Sequence, residues 1–510
     1  MIRTLLIANR GEIAIRIART ARSMGIRSIG VFSDIDRDAL HVRAMDEAHG
    51  IGPADPSQSY LNADRILRVA HDTGSDAIHP GYGFLAENAG FAARCVEEGI
   101  SFVGPTAHAI ALTGDKIAAR QAMARAGIPV TRGADRVVRS VREAREVAKD
   151  LGFPVLFKAT GGGGGIGMSR VDGTDRLASA FESARSVART NFGNPDLFLE
   201  SYLEGARHIE VQVVLGPRSS GVVLGERECS VQRRHQKLVE ETPSPALSPR
   251  QRKQVGAAAL RGLRTLGYTN AGTVEFLFHE GRFTFNEVNA RLQVEHPVTE
   301  LVAGVDLVRQ QLLVASGEDL EVSPSKVRLR GHALECRINA EDPIRGFLPS
   351  PGRVLAYSEP EGPGIRVDSG IERGSEVPPM YDPLVAKVIV HGRTRADSIR
   401  RMREALASFD IRGIRTTIPF HQALLRHSEF RRGHLWTTMV ADLRIADRLQ
   451  GRGPAEARVA AIAAALASTP GLFALAARER FLPPRGSAWA IAGSRERLGG
   501  RDALRSRRRW

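Results

Sequence analysis

Chemistry-bearing side chains fall at every second position between Glu287 and Glu295. They are Glu287, Asn289, Arg291, Gln293 and Glu295, with Val288, Ala290, Leu292 and Val294 between them. An extended chain sends alternate side chains to opposite faces. The pattern predicts an anchored apolar face and an opposite face that carries carboxylates, amides and a guanidinium in one row. A wet strand face needs only solubility, which Lys, Ser or Thr supply. This row instead combines hard oxygen ligands with an anion-binding fork.

A further carboxylate belongs with the row. Thr273 to Phe278 reads as a strand containing Glu275, Glu280-Gly281 is a turn signal, and Arg282 to Phe285 starts the return strand. Such a hairpin brings Glu275 close to Glu287 and Asn289. Oxygen ligands gathered this way suit Mg²⁺, which is normally held by one or two carboxylates plus substrate phosphates. The spacing alone leaves a metal site and a structural ion pair both open.

These residues need a scaffold, and 510 residues suffice for two to four domains. Hydrophobic content of 42% and charged content of 25% are those of a soluble globular protein. The apolar run Leu5 to Ala8 is too short for a signal peptide, and Val459 to Ala467 too short to span a bilayer. Cys95, Cys229 and Cys336 are widely spaced, so no disulfide framework or zinc site is expected and a cytoplasmic location is. The net charge of +15 suits a nucleic-acid partner. Its basic residues, however, are interleaved with acids along the chain, without stacking aromatics, so we expect no nucleic acid and no membrane as partners.

Residues 1 to about 113 alternate strand and helix signals: strands at 4–8, 28–32, 77–79 and 101–103, helices at 12–24 and 61–71. That alternation predicts an open parallel sheet. The turn His79 to Ala86 falls where such sheets bind ligands. A helix is expected over Lys116–Arg125, another over Val141–Leu151, and a strand over Pro154–Ala159. The run Gly161 to Gly165 follows, with Gly167 close behind. Five glycines in a row carry an entropic penalty, and they let backbone N–H groups close over an anion. Met168 to Val171 reads as a strand, whereas a dinucleotide turn opens a helix, and no Gly-Lys-Ser/Thr follows. A flap over phosphates is the reading that remains, with Lys158 as a point charge beside it. Glu228 to Lys237 reads as a dense cationic loop, solvated on spacing alone. His332 to Asn339 is a strand and Ser398 to Ser408 a helix. Past about residue 450 the chain turns Ala-rich, then Gly/Pro/Arg-rich, as in a linker or docking tail.

Together these stretches closely resemble the biotin carboxylase family of ATP-grasp enzymes, over residues 1 to about 445. The marks are Ala8 to Ile13, His79 to Leu85, Lys158-Ala-Thr with the glycine run, Ser230 to Lys237, Glu287 to Val298 and Glu335 to Asp342. The resemblance implies a mixed α/β (α+β) fold. Its parts would be a Rossmann-like N-terminal domain (1–113), an ATP-grasp domain (114–330) with a mobile lid at about 130–203, a C-terminal domain (331–445), and a tail (446–510). It implies that Lys116, Lys158, Gly164, Gly165, Glu200, Leu203 and His208 bind ATP, with Gln232 and His235 near the ribose. Met168, Leu203 and Leu277 would flank the adenine. Glu275, Glu287 and Asn289 would hold Mg²⁺ or Mn²⁺. Lys237, Arg291, Gln293 and Val294 would bind bicarbonate, and Tyr82, Gly83 and Arg337 would meet biotin. Ile166 stands where members often have Arg or Lys, and Ser201 where Lys is common.

The implied chemistry is ATP-dependent carboxylation of biotin through carboxyphosphate. Glu295 would act as the base, Arg291 and Lys237 would bracket the anion, and Arg337 would face the developing oxyanion. No Ala-Met-Lys-Met attachment motif or carboxyltransferase domain is read, so a separate biotin carrier protein and a separate carboxyltransferase are implied, with a homodimer as the assembly. Gly364 to Gly370 looks like acyl-CoA carboxylase α-chains, including propionyl-CoA types. The rival reading is another ATP-grasp ligase, such as a carbamoyl-phosphate or purine-pathway enzyme.

Overall fold

The structure is a computed structural model. It describes residues 1–161, 165, 167–217 and 220–449. Gly164, Ile166 and the tail from residue 450 lie outside the described residues.

Strands β1 (Thr4–Ile7), β2 (Arg27–Phe32), β3 (Glu47–Gly50), β4 (Ala77–His79) and β5 (Ser101–Phe102) form a parallel sheet in the order β3-β2-β1-β4-β5. Leu5, Leu6 and Ile7 are fully buried, as befits a central parallel strand covered on both faces. The helix Gly11–Ser23 turns Ile13, Ala14, Ile17, Ala18 and Ala21 inward at helical spacing. The strand order reverses between β1 and β4, and in open α/β sheets that point is where ligands bind. There the loop Pro80-Gly81-Tyr82-Gly83 leaves β4. Asn9, just past β1, pins it by donating Nδ2 to the Pro80 and Tyr82 carbonyls at 2.7 and 2.8 Å. Strand β3 and the helices Ala89–Glu97 and Ala107–Gly114 escaped the sequence reading, which offered no apolar period for them.

A three-stranded antiparallel sheet follows: β6 (Val155–Ala159) flanked by β7 (Ser169–Val171) and β8 (Leu197–Ser201). Helices Val141–Leu151 and Thr174–Phe192 pack on it. Phe157, Phe181, Leu197 and Leu199 belong to a core confined to this unit.

The third sheet has eight antiparallel strands. Six are β9 (Arg207–Leu215), β10 (Gly221–Arg233), β11 (Gln236–Thr242), β12 (Asn270–His279), β13 (Arg282–Asn289) and β14 (His332–Asn339), in the order β13-β12-β9-β10-β11-β14. Strands Leu384–Gly392 and Ile365–Ser369 extend it beyond β14. The sheet therefore runs unbroken across residue 330.

Two expectations are corrected here. The row from Glu287 to Glu295 is not one strand: β13 ends at Asn289, and Glu295 is the N-cap of the helix His296–Ala303. Pro297 near the start of that helix ends the extended run that alternation alone would continue. Nor is Glu228 to Lys237 a cationic loop. It is a β-hairpin whose turn is only Arg234 and His235, both at positive φ (49° and 65°). Its charges hid the strand pattern: Glu228 and Lys237 are ion-paired, whereas Arg234 and His235 at the turn are exposed.

Gly81 sits at φ +66°, and a Cβ there would fall 2.8 Å from Asn9 Nδ2. We expect Gly81→Ala to destabilise the protein by about 1–3 kcal/mol, through the strained backbone and the displaced Asn9. Thermal or urea unfolding of the two proteins checks this; an unchanged midpoint would mean the loop is not held by Asn9.

Candidate active site

The site begins with sheet register. Glu210 on β9 lies directly opposite Glu275 on β12, and Glu275 directly opposite Glu287 on β13. Arg227 on β10 extends the same row beyond Glu210. Directly opposed residues share a face, and like charges so placed repel. A row of three carboxylates across three strands needs cations above it, and the fold supplies them. Lys237 Nζ lies 2.5 Å from Glu210, 2.8 Å from Glu275 and 2.7 Å from Glu295. His208 Nε2 is 3.0 Å from Glu275, and Lys116 Nζ is 3.6 Å from Glu287. Arg227, with no exposed side chain, bonds Glu210 and also Gln212 and Thr299.

Two β-bulges aim side chains into this cluster. The pairing Val231↔Val239 is followed by Gln232↔Lys237, so Leu238 is the extra residue on β11. Lys237 and Glu240, three apart, thereby serve one site. On β13 the extra residue is Asn286, between Glu275↔Glu287 and Phe276↔Phe285. Asn286 accepts from Lys158 Nζ at 2.9 Å and donates to Glu275 at 3.4 Å.

Glu295 is fully buried. Its oxygens take Lys237 at 2.7 Å and Arg337 Nη2 at 2.8 Å, while Arg337 Nε donates to Glu240 at 2.6 Å. Burial alone would raise the Glu295 carboxyl; Lys237, Arg337 and Arg227 outweigh it and hold the group well below the usual range. Glu275 is likewise held low against burial, by His208 and Lys237. Burial would lower the Lys237 ammonium, but the three glutamates raise it well above normal. Glu240 behaves oppositely: burial pushes it up to about 7 despite Arg337, with the Glu295 charge adding to the rise.

A cleft of about 1060 Å³ opens over the cluster. It is lined by Tyr82, Gly83, Lys116, Lys158, Gly165, Met168, Glu200, Leu203, His208, Gln232, His235, Lys237, Glu275, Leu277, Glu287, Asn289, Arg291, Gln293, Val294 and Arg337. Of the site residues named from the sequence, Gly164 is outside the described residues, and Glu295 sits behind the lining, reached through Lys237 and Arg337. Gly165 shows why the loop above needs glycine: at φ +76°, a Cβ there would come within 2.3 Å of His235. Lys158 is also held by Glu200 at 2.6 Å.

The donor sets fit the expected ligands. Glu275, Glu287 and Asn289 converge from one hairpin, although Asn289 here turns its Nδ2 to Glu275 at 2.7 Å, so its amide oxygen would have to face an incoming hard cation. For an anion, Gln293 offers a buried Nε2 that has no hydrogen-bond partner among the described residues. Arg291 stands beside it, anchored on Glu87 at 2.9 Å and bonded to Gln293 Oε1 at 3.2 Å. Two other groupings, His208-Glu210-Glu275 and Glu210-Cys229-Glu295, bring ligand atoms within 4.8 Å of one another. Their charge is already balanced by Lys237 and Arg227.

Models of known families match the chain in three consecutive segments. They are the biotin carboxylase N-terminal domain over residues 1–110, the carbamoyl-phosphate synthase L chain ATP-binding domain over 115–323, and the biotin carboxylase C-terminal domain over 335–442. Biotin carboxylase 1 of Bacillus subtilis is 50% identical over 86% of this chain and 98% of its own length. The chain belongs to the biotin carboxylase family. Among solved structures, the biotin carboxylase domain dimer of Hydrogenobacter thermophilus 2-oxoglutarate carboxylase, in complex with MgADP, ADP and bicarbonate, has a TM-score of 0.86 at 44% identity, covering 88% of this chain and 99% of that one. Biotin carboxylase from Campylobacter jejuni, as its β-γ-ATP complex, has a TM-score of 0.85 at 42% identity, with 87% and 99% covered.

Sequence reasoning missed the residues that hold this family site together: Glu12, Glu87, Glu210, Arg227, Glu240 and Asn286. Glu210 carried a signal, since His208-Ile-Glu-Val-Gln212 alternates polar and apolar residues. The others lie in contexts that show partners only after folding.

Glu240 gives the site a pH signature. Its folded-state value near 7 exceeds the ordinary glutamate value of about 4.3. Between those values the folded state holds the extra proton, so stability falls as pH rises through that window. Glu275 and Glu295 act with the opposite sign, their contribution lasting until pH falls through their depressed values. We expect Glu240→Gln to flatten the loss of stability between about pH 4 and 7, measured by denaturation at a series of pH values; an unaltered slope would place the titration elsewhere.

Proposed function

We propose that this cleft carboxylates biotin with bicarbonate, driven by ATP, and that the residues described above divide the work. The observation that carries the reading is the Lys237–Glu295–Arg337 network beside the unbonded Gln293 donor: a base and an anion receptor at one wall of a nucleotide-sized cleft. ATP-dependent biotin carboxylation is the reaction of the family, and with flanking segments matched to biotin carboxylase models the chain is not read as a carbamoyl-phosphate or purine-pathway ligase.

Lys116 and Lys158, which line the cleft, would neutralise the nucleotide phosphates, and Glu200 keeps Lys158 in place. Met168, Leu203 and Leu277 supply apolar walls, and Gln232 and His235 polar ones. Glu275, Glu287 and the Asn289 amide would hold Mg²⁺ or Mn²⁺, which when bound neutralises charge developing at the transferred phosphoryl group. Arg291, Gln293, Val294 and Lys237 receive bicarbonate. Glu295 takes its proton, and the bicarbonate oxygen attacks the terminal phosphorus, so that its bond to the β-phosphate oxygen breaks, ADP leaves and carboxyphosphate forms. In the resting site Lys237 and Arg337 suppress the basicity of Glu295. An entering anion draws Lys237 toward itself, and Glu295 gains proton affinity as that charge leaves it. Tyr82 and Gly83 meet biotin, and Arg337 faces its developing oxyanion.

A separate biotin carrier protein and a carboxyltransferase complete the system, and the chain pairs with a second copy in the cytoplasm. The likeness of Gly364 to Gly370 to acyl-CoA carboxylase α-chains supports an acyl-CoA as the acceptor. Among the described residues no helix is long and apolar enough to cross a membrane. We assign residues 1–113, 114–330 and 331–445 as successive domains, in keeping with the three family models and with one sheet shared by the last two, and 130–203 as the lid. Its self-contained core supports that assignment.

Purified protein should hydrolyse ATP only when both bicarbonate and free biotin are present; hydrolysis indifferent to either would overturn the proposal. Glu295→Gln should lower this rate by about 10²–10⁴-fold while nucleotide binding persists. Turnover near that of the parent would remove Glu295 as base. For the metal, Glu275→Gln and Glu287→Gln should each shift the Mg²⁺ titration to higher concentration, and an unchanged titration in both would take them out of the metal site.

A further inference from the structure

Lys387 lies on the strand Leu384–Gly392 with no exposed side-chain surface, and it does not line the cleft. A fully buried ammonium is destabilising unless it is paired and hydrogen-bonded. Its partners tie two parts of the site together. Nζ donates to the Val294 carbonyl at 2.9 Å and forms an ion pair with Glu12 Oε2 at 3.1 Å. Asp368, at 3.9 Å, is engaged by the fork of Arg366. Glu12 in turn accepts from the Tyr82 hydroxyl.

The Val294 carbonyl belongs to the peptide that also carries the Glu295 N–H, so an ammonium on that oxygen fixes the plane from which Glu295 springs. The preceding peptide is fixed independently. The Gln293 carbonyl accepts from His296 Nδ1 at 2.8 Å, and in a planar trans peptide this sends the Val294 N–H the opposite way. Two consecutive peptide planes are thus set by two buried side chains, within a segment that has left the sheet and has no ladder bonds of its own. The same ammonium also reaches Glu12 and, through it, Tyr82 from the parallel sheet.

We propose that Lys387 is a positioning residue for bicarbonate, locking the Val294–Glu295 peptide and coupling it through Glu12 to Tyr82. The inference rests on the reading of Gln293, Val294 and Glu295 as the bicarbonate receptor. An apolar side chain of similar length would fill the space but leave the carbonyl unheld, and angstrom-scale misplacement of reacting groups is enough to lower rates by about 10²-fold.

The test is steady-state kinetics of ATP hydrolysis by the full chain, with bicarbonate, ATP and free biotin varied in turn. Lys387→Met should raise KM for bicarbonate by about 10–100-fold and leave KM for ATP within about twofold. Glu12→Gln keeps an acceptor for Tyr82 but weakens the hold on Lys387, so it should raise the bicarbonate KM by a smaller factor; this variant decides the matter if Lys387→Met does not fold. A bicarbonate KM unchanged in a folded variant overturns the proposal. Parallel rises in the KM for ATP and for bicarbonate also overturn it, since they mark a general structural role. A parent protein whose ATP hydrolysis ignores bicarbonate overturns the reading beneath it as well, an outcome seen before any variant is made.

Discussion

Three glutamates stand side by side across β9, β12 and β13, and that repulsion organises the rest. Glu210, Glu275 and Glu287 share one face by strict register. A sheet selected only for stability would place apolar or alternating charges there. The row is tolerable because His208 from β9 itself, Arg227 and Lys237 from β10 and β11, and Lys116 from a helix converge on it. Removing one member of such a buried network costs about 3–5 kcal/mol, because it leaves its partner uncompensated. The cluster is thus an electrostatic arrangement whose cations are engaged with the carboxylates at rest.

The surrounding fold can be understood from this requirement. The bulges at Leu238 and Asn286 trade ladder regularity for aim. The hairpin turn at Arg234-His235 accepts positive φ at two residues with side chains, which places His235 beneath Gly165. The helix starting at His296 ends the polar row at its N-cap, so that Glu295 turns inward to Lys237 and Arg337. The parallel sheet contributes its switch-point loop, with Tyr82 held by Glu12.

Much of this was legible beforehand, for identifiable reasons. Period-two alternation and the Glu280-Gly281 turn placed β12 and β13 correctly, because local chemistry decides a two-residue hairpin. The parallel sheet followed from strand–helix alternation and short apolar runs. What failed was the extension of alternation past Asn289, where a helix start competes with a strand. The hairpin at Arg234-His235 also failed, because its exposed turn charges, with Glu228 and Lys237 on either side, resemble a solvated loop until the partners of those two are known. Glu240, Arg227 and Lys387 could not be read at all: each is an ordinary charged residue in sequence and acquires its role only from partners on other elements of the fold.

The central claim is that Glu295 is held as a weak base by Lys237 and Arg337 until an anion relieves it. The carboxyl carbon of Glu295 reports this directly by ¹³C NMR, its signal assigned by its absence from Glu295→Gln. The account predicts that Glu295 in the free enzyme titrates below the ordinary glutamate range, and that its midpoint shifts upward once bicarbonate is added. Titration of the free enzyme at or above the ordinary glutamate value, or a midpoint indifferent to bicarbonate, would contradict it.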